Sequence, residues 1–128
     1  MKLDILIVED DILIALDLED QVRSLGHRVT GVARDVESCR HAANDEPPDI
    51  ALMDIRLAGG ASGIEASKWL YASLGVRCIF TSGNLDDATR EQLAPVRPVA
   101  FLGKPVLMTR LRRELNRACE ELAKRARG

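Results

Sequence analysis

No stretch of this sequence approaches the roughly 20 consecutive apolar residues of a membrane-spanning helix. Its first residues, Met1-Lys2-Leu3-Asp4, run into an acidic cluster too soon to make a secretory signal. Cysteine is scarce: Cys39, Cys78 and Cys119 are odd in number and widely spaced. That argues against a disulfide framework and a zinc site, suits a reducing cytosol, and leaves the thiols as small buried apolar groups. Neither sign of charge dominates, and a net charge of -2 gives no general reason to expect nucleic acid or membrane as a partner. Internal repeats, low-complexity tracts and a linker to a second domain are all missing from the 128 residues. The expectation is one cytoplasmic domain over residues 1–128, long enough to bury a core.

What is present is a regular alternation. Leu3 to Val8 is short and β-branched, then breaks at Glu9-Asp10-Asp11, which reads as a strand followed by a helix capped by Asp10 or Asp11. Ile14, Leu18, Val22 and Leu25 recur at spacings of four, four and three, one face of an amphipathic helix that Gly26 stops. Arg28 to Ala33 alternates like a shorter strand near a sheet edge. Asp35 to Asn44 is a weak helix ended by Pro47-Pro48. Asp49 to Asp54 is an apolar run that delivers a carboxylate where the run stops, the pattern of a strand buried on both faces.

The second half repeats the alternation. Ile64 to Leu74 reads as a helix stopped by Gly75, with Ile64, Ser67, Trp69, Leu70 and Leu74 available to face inward. Val76 to Ser82 is a strand, and Leu85 to Leu93 a short polar helix capped by Asn84 or Asp86. Val99 to Leu102 is a fifth strand. Leu107, Leu111, Leu115, Ala118 and Leu122 mark the inner stripe of a closing helix that frays from Lys124. Five strand–helix units in succession require parallel strands joined by crossover helices, hence a sheet covered on both faces. The two histidines, His27 after a helix stop and His41 in a polar helix, read as surface residues.

In such a sheet all strand C-termini share one rim, where open α/β sheets place ligands. Glu9-Asp10-Asp11, Asp54, Thr81-Ser82 and Lys104 all arrive there. Singly each has an ordinary reading as a helix cap, a turn residue, a strand end or a solvated charge. Together they crowd several carboxylates that repel unless something positive joins them. A hard divalent cation, Mg²⁺ first, with a lysine beside it makes a site for a phosphoryl group.

This order of acidic pair, aspartate, hydroxyl residue and Lys-Pro on a five-unit α/β chain resembles the receiver domain of two-component response regulators, from Leu3 to the last helix. The resemblance implies a doubly wound (βα)5 sandwich of flavodoxin-like strand order 2-1-3-4-5. It implies Asp54 as phosphoacceptor, with Asp10 and Asp54 binding Mg²⁺ (or Mn²⁺), the Arg56 backbone carbonyl as a further ligand, and Glu9 acting through water. Ser82, with Thr81 as the alternative, would be the switch hydroxyl, because Ser82-Gly83 and the spacing to Lys104 match the family's register. Lys104 would bind phosphoryl oxygens, its bond to Pro105 would be cis, and Phe101 would be the switch aromatic, working by packing alone without a tyrosine's hydroxyl.

Two departures from the family stand out. The loop Leu57-Ala58-Gly59-Gly60 lacks the common proline and is one residue longer before Gly63, as in a subset of receivers. The segment after strand four is short and polar and then carries Pro95 and Pro98, which points to an irregular fourth helix. The implied partners are a sensor histidine kinase or histidine phosphotransferase and an unidentified downstream protein, with no nucleic acid or membrane, for a monomer or weak dimer. The expectation is a single receiver domain without an output domain, which either signals to another protein or serves as a phosphate sink or intermediate carrier. The basic residues of that helix, Arg110, Arg112, Arg113, Arg117, Lys124, Arg125 and Arg127, could face an acidic partner or solvent. An enzyme is not expected: an aspartyl-nucleophile phosphohydrolase needs an acid where Arg56 stands, and a flavodoxin-like electron carrier would find its phosphate repelled by Glu9-Asp10-Asp11.

Overall fold

The computed structural model describes residues 1–57 and 62–127. Along the chain run β1 (Asp4–Val8), α1 (Ile12–Ser24), β2 (Arg28–Ala33), α2 (Val36–Asp45), β3 (Ile50–Asp54) and α3 (Gly63–Leu74). They are followed by β4 (Arg77–Ser82), α4 (Asp87–Leu93), one 3-10 turn (Ala94–Val96), β5 (Ala100–Gly103) and α5 (Met108–Arg127). The strands form one parallel sheet in the order β2-β1-β3-β4-β5, the flavodoxin-like arrangement that the family resemblance implied. β3 lies at its centre, and all five of its residues are buried.

Strand alternation divides the core in two. Ile5, Ile7, Ile50, Leu52 and Ile79 face α1 and α5, where they meet Leu18, Val22, Leu111, Leu115 and Ala118. Leu6, Val8, Ala51, Met53, Cys78 and Phe80 face the other way, against Val36 and Cys39 of α2, Ala66 and Leu70 of α3, and Leu93 of α4. Each layer is dry and apolar, so the sheet is held from both sides. On the edge, β2 carries one extra residue: register with β1 shifts between Ile5 and Leu6, and Thr30 turns its hydroxyl to the Ile5 carbonyl at 3.4 Å.

The helix ends follow local chemistry. Asp11 caps α1, accepting from the amides of Leu13 and Ile14 at 2.9 and 3.2 Å. Asp35 and Ser38 form a reciprocal capping box on α2, so the helix that reads as weak in sequence has a doubly bonded start. Asp86, one of the two residues weighed, caps α4 through the Thr89 amide. Gly26 and Gly75 take positive φ at the ends of α1 and α3. α4 has only seven residues and runs into the 3-10 turn at Pro95, the irregularity that the prolines foretold. The helix expected over 64–74 begins at Gly63, and the strand expected over 99–102 runs from Ala100 to Gly103.

Four expectations are corrected. Cys119 is only partly buried, unlike Cys39 and Cys78, because it lies on the margin of the α5 stripe. Leu107 does not belong to the inner stripe; it precedes the first turn of α5 and is 55% exposed. The end of α5 does not fray at Lys124 but stays helical to Arg127. His27 is no surface residue: it is buried, and its Nδ1 accepts a hydrogen bond from the Leu3 amide at 3.0 Å. The helix stop at Gly26 turns the chain back under the sheet, which is why a residue next to a turn becomes enclosed. His41 is exposed, as expected.

Burial lowers the pKa of His27 from its ordinary 6.5, and the nearby N-terminal ammonium adds to this. The unfolded chain therefore binds the proton more readily, and stability contributed by neutral His27 is complete above about pH 6.5. It is lost as pH falls through the depressed folded value. Urea denaturation of wild type and His27→Asn across pH 4.5 to 7.5 should show the wild type losing stability more steeply below about pH 6.5. Parallel curves would show that His27 carries no such linkage.

Candidate functional site

The C-terminal ends of β1, β3, β4 and β5 converge on one rim, and the chain supplies each with a polar group. β1 ends at Val8, so Glu9 and Asp10 follow directly at the rim. The two neighbours part company at once: Glu9 is buried and Asp10 exposed. Glu9 Oε2 accepts from the Asp11 amide at 3.1 Å. Asp54, the last residue of β3, is 4% exposed, and its Oδ1 accepts from the Arg56 amide at 3.2 Å. Asp10, Glu9 and Asp54 each bring a carboxylate oxygen to within 4.8 Å of the others.

Lys104 reaches into this cluster from the end of β5. Its Nζ lies 2.9 Å from Glu9 Oε1 and 3.2 Å from Asp54 Oδ2. The contact to Glu9 is a close charge pairing without hydrogen-bond alignment, for Oε1 is fully enclosed and has no aligned donor. Burial pushes the Glu9 carboxyl up to about 7, against the opposing pull of Lys104 and the Asp11 amide, with Asp54 adding to the rise. Burial works against the Lys104 ammonium, but the two carboxylates outweigh it and hold its pKa above the ordinary value. The rim thus gathers more negative charge than one lysine balances.

Backbone contacts fix the lysine and the aspartate. The Lys104 amide donates to the Ser82 carbonyl at 2.9 Å, which ties the end of β5 to that of β4. The Lys104–Pro105 bond is cis, as the resemblance implied. Behind Asp54, the Gly63 amide donates to the Ile55 carbonyl at 2.7 Å and α3 begins against the strand end. A Cβ on Gly63 would collide with the Asp54 carbonyl oxygen.

The two hydroxyl residues part by alternation. Thr81 is paired in register with Asp54, and its Oγ1 is enclosed without a partner. Ser82, the last residue of β4, is 6% exposed; its Oγ donates to the Asn84 carbonyl at 3.0 Å and accepts from the Asn84 amide at 3.1 Å. Phe101 is half-buried on β5, in register with Phe80, and the two rings stack with centroids 5.5 Å apart. Glu9, Asp10, Asp54 and Lys104 are therefore brought together, Ser82 and Thr81 border them, and Phe101 sits apart. Arg56 presents its amide to Asp54 and an exposed side chain to solvent. The residues of the longer loop, Ala58 to Ala61, lie outside the described residues.

Sequence reading passed over one support. Gln21 of α1 is buried, and its amide donates to the Val106 carbonyl and to Asp17 Oδ2, both at 3.0 Å. It secures the segment just after the lysine. A polar residue one position before Val22 on the inner stripe was the available signal.

The donor set suits a hard cation. Three carboxylates lie within reach of one another, and a buried Glu9 oxygen has no aligned donor, the situation that an oxygen-seeking divalent ion relieves. Among the described residues no helix is long and apolar enough to cross a membrane.

Comparison with known proteins points the same way. A family model described as the response regulator receiver domain matches residues 5–116. The chain is 46% identical over 81 residues to the phyllosphere-induced regulator PhyR of Methylorubrum extorquens, covering 62% of this chain and 30% of that one. It is 30% identical over 105 residues to the transcriptional regulatory protein PdtaR of Mycobacterium tuberculosis, covering 79% and 49%. The chain thus spans at most about half the length of these relatives. Among solved structures, the signal receiver domain of a modulated diguanylate cyclase from Desulfovibrio desulfuricans G20 superposes with a TM-score of 0.86 at 36% identity, covering 94% of this chain and 96% of that one.

The Gly63 contact makes a quantitative prediction. Gly63→Ala must push α3 or the Asp54 main chain aside, and should cost about 1–3 kcal/mol of stability. Chemical denaturation checks the cost. A loss below about 0.5 kcal/mol would mean that the strand end is looser than this packing implies.

Proposed function

Since the chain belongs to the response regulator receiver domain family, we propose that Asp54 is the residue on which it accepts a phosphoryl group. The observation that carries this reading is the Lys104 ammonium held between Glu9 and Asp54 at the rim of the sheet. The donor is a phosphohistidine of a sensor histidine kinase or histidine phosphotransferase. An Asp54 carboxylate oxygen attacks the phosphorus, the P–N bond breaks, and the electron pair leaves with the imidazole, which takes up a proton. An acyl phosphate remains on Asp54. The chain is thus a substrate of phosphotransfer and a carrier of its product, and not an enzyme acting on a separate molecule.

The residues fit Mg²⁺, with Mn²⁺ as a substitute: Asp10, Asp54 and the Arg56 carbonyl would hold it, and Glu9 would act through water. When bound, the ion supplies charge neutralisation on the transferring group. Lys104 stabilises the same oxygens from its own side. The acyl phosphate brings about two negative charges to the rim. Ser82 then exchanges its hydrogen bonds within the Asn84 turn for one to a phosphoryl oxygen, and Thr81, on the opposite strand face, is the alternative. Phe101 moves into the space released and alters the surface of α4, β5 and α5. Such a shift between two packings needs a few kcal/mol of differential contact, within reach of a phosphoryl group that gains both a hydroxyl and an ammonium partner.

A donor must cover the rim to reach Asp54, and the surface beside it is apolar. Ile12, Leu13 and Leu16 of α1 are 73%, 74% and 55% exposed. They border a groove of about 390 Å³ lined by Leu13, Ile14, Leu18, Pro105 and Val106 with Asp17 and Lys104. A helix of the donor fits this setting.

Mass spectrometry after incubation with acetyl phosphate should show one added phosphoryl group, dependent on Mg²⁺ and missing in Asp54→Ala; a label that persists in this variant would place the site elsewhere. Ser82→Ala should accept the group yet lose the change in Phe101 ring NMR signals on adding beryllofluoride, while Thr81→Val keeps it. The reverse pattern would assign the switch to Thr81.

A further inference from the structure

Lys104 can serve the rim only if the chain on both sides of it is held. On its N-terminal side the hold is ladder bonding, for the Lys104 amide donates to the Ser82 carbonyl at 2.9 Å. On its C-terminal side Pro105 has no N–H to give, and α5 does not begin until Met108. Among the described residues, the main chain of Pro105 and Val106 makes one hydrogen bond, the 3.0 Å bond from the Gln21 side-chain amide to the Val106 carbonyl. That amide is itself aimed by Asp17, one turn earlier on α1, whose Oδ2 accepts from the same nitrogen at 3.0 Å. Leu13, Ile14 and Leu18 of α1 line one groove with Lys104, Pro105 and Val106, so α1 is the direct neighbour of this segment. The Val106 side chain also packs into the core, but apolar contact is non-directional, whereas a hydrogen bond fixes which way the main chain faces.

Packing does not explain Gln21. It is 7% exposed, on the inner face of α1 beside Val22, and its Oε1 is enclosed without a partner. Burying an amide with its oxygen unbonded costs stability, and an apolar side chain of similar length would avoid that cost. The residue is accounted for by what its N–H groups hold.

We propose that Gln21 is a positioning residue for Lys104: from α1 it holds the segment just past the lysine, and so fixes the line along which the ammonium enters the rim between Glu9 and Asp54. Electrostatic stabilisation of a transferring group depends on donors already in place, and a displacement of about 1 Å removes much of it. Gln21 touches no reacting atom and acts through Lys104 alone. Its effect on phosphoryl transfer rests on the phosphoacceptor reading of Asp54, whereas its effect on the lysine does not.

The test uses the full chain and Gln21→Met, which keeps the length and the packing and removes both N–H donors. With acetyl phosphate and Mg²⁺, mass spectrometry should show Gln21→Met labelled about tenfold more slowly than wild type. Lys104→Ala should slow labelling further, and adding Gln21→Met to it should change nothing more, the non-additivity of a residue that works through its neighbour. Val22→Ala, a core loss on the same helix, should label like wild type under conditions where circular dichroism shows the variants folded. Independently, the Lys104 side-chain NMR signals of the unphosphorylated chain should move in Gln21→Met and keep their places in Val22→Ala. Unmoved Lys104 signals, a full tenfold effect in the Lys104→Ala background, or equal slowing by Val22→Ala each overturn the proposal. The NMR signals need no phosphoryl group, and they decide the matter should Lys104→Ala not fold. A wild type that takes no label while the Lys104 signals move sinks the phosphoacceptor reading alone. Gln21→Met that labels at the wild-type rate sinks this inference alone.

Discussion

An ammonium group shared by two buried carboxylates is the constraint on which this molecule turns. Glu9 and Asp54 sit at the ends of adjacent strands, and the core behind them gives neither the water that an anion needs. Lys104 supplies the missing charge from the far edge of the sheet, 2.9 and 3.2 Å from its two partners. Removing it would leave buried charges uncompensated, a costlier change than the loss of a surface ion pair. The elements that hold the lysine in place are accordingly part of the site: the β4–β5 backbone bond at Ser82, and the Gln21 amide on the Val106 carbonyl.

The two-layered core explains how such a site can be built from ordinary parts. Strand alternation sends Ile50 and Leu52 to one face and Ala51 and Met53 to the other, so that β3 is gripped by α1 and α5 on one side and by α2 to α4 on the other. No residue of β3 is left to solvent. The chain places its polar groups where the strands stop, and the burial of their backbone does the positioning.

Much of this was legible in the chain itself, and the reasons differ by residue. The strand ends at Val8, Asp54 and Ser82 could be located because an apolar run and a turn signal meet there, and parallel topology then forces them together. The helix of α2 was harder, since its buried stripe is made of the small residues Cys39 and Ala43 with Val36, and the Asp35–Ser38 cap adds to its start. Composition could not reveal that His27 is enclosed or that Leu107 stands outside the helix, because both sit at a turn whose direction only tertiary packing decides. Nor could spacing separate Glu9 from Asp10. Neighbours in sequence just after β1, they differ in burial because the Glu9 side chain turns in to Lys104 and the Asp11 amide while Asp10 stays exposed. Arg90 of α4 and Phe101 of β5 are apart in sequence, and only the folded chain lays the guanidinium over the ring.

Gly63 sets how closely α3 can approach the rim. With the first turn of α3 pressed against the Asp54 carbonyl, the main chain beneath the carboxylate has nowhere to retreat. Toward α4, by contrast, the neighbouring element is a helix of seven residues that leads into a single 3-10 turn. A methyl group at position 63 would part α3 from the Asp54 carbonyl, so the closeness of helix and carboxylate depends on the absence of a side chain.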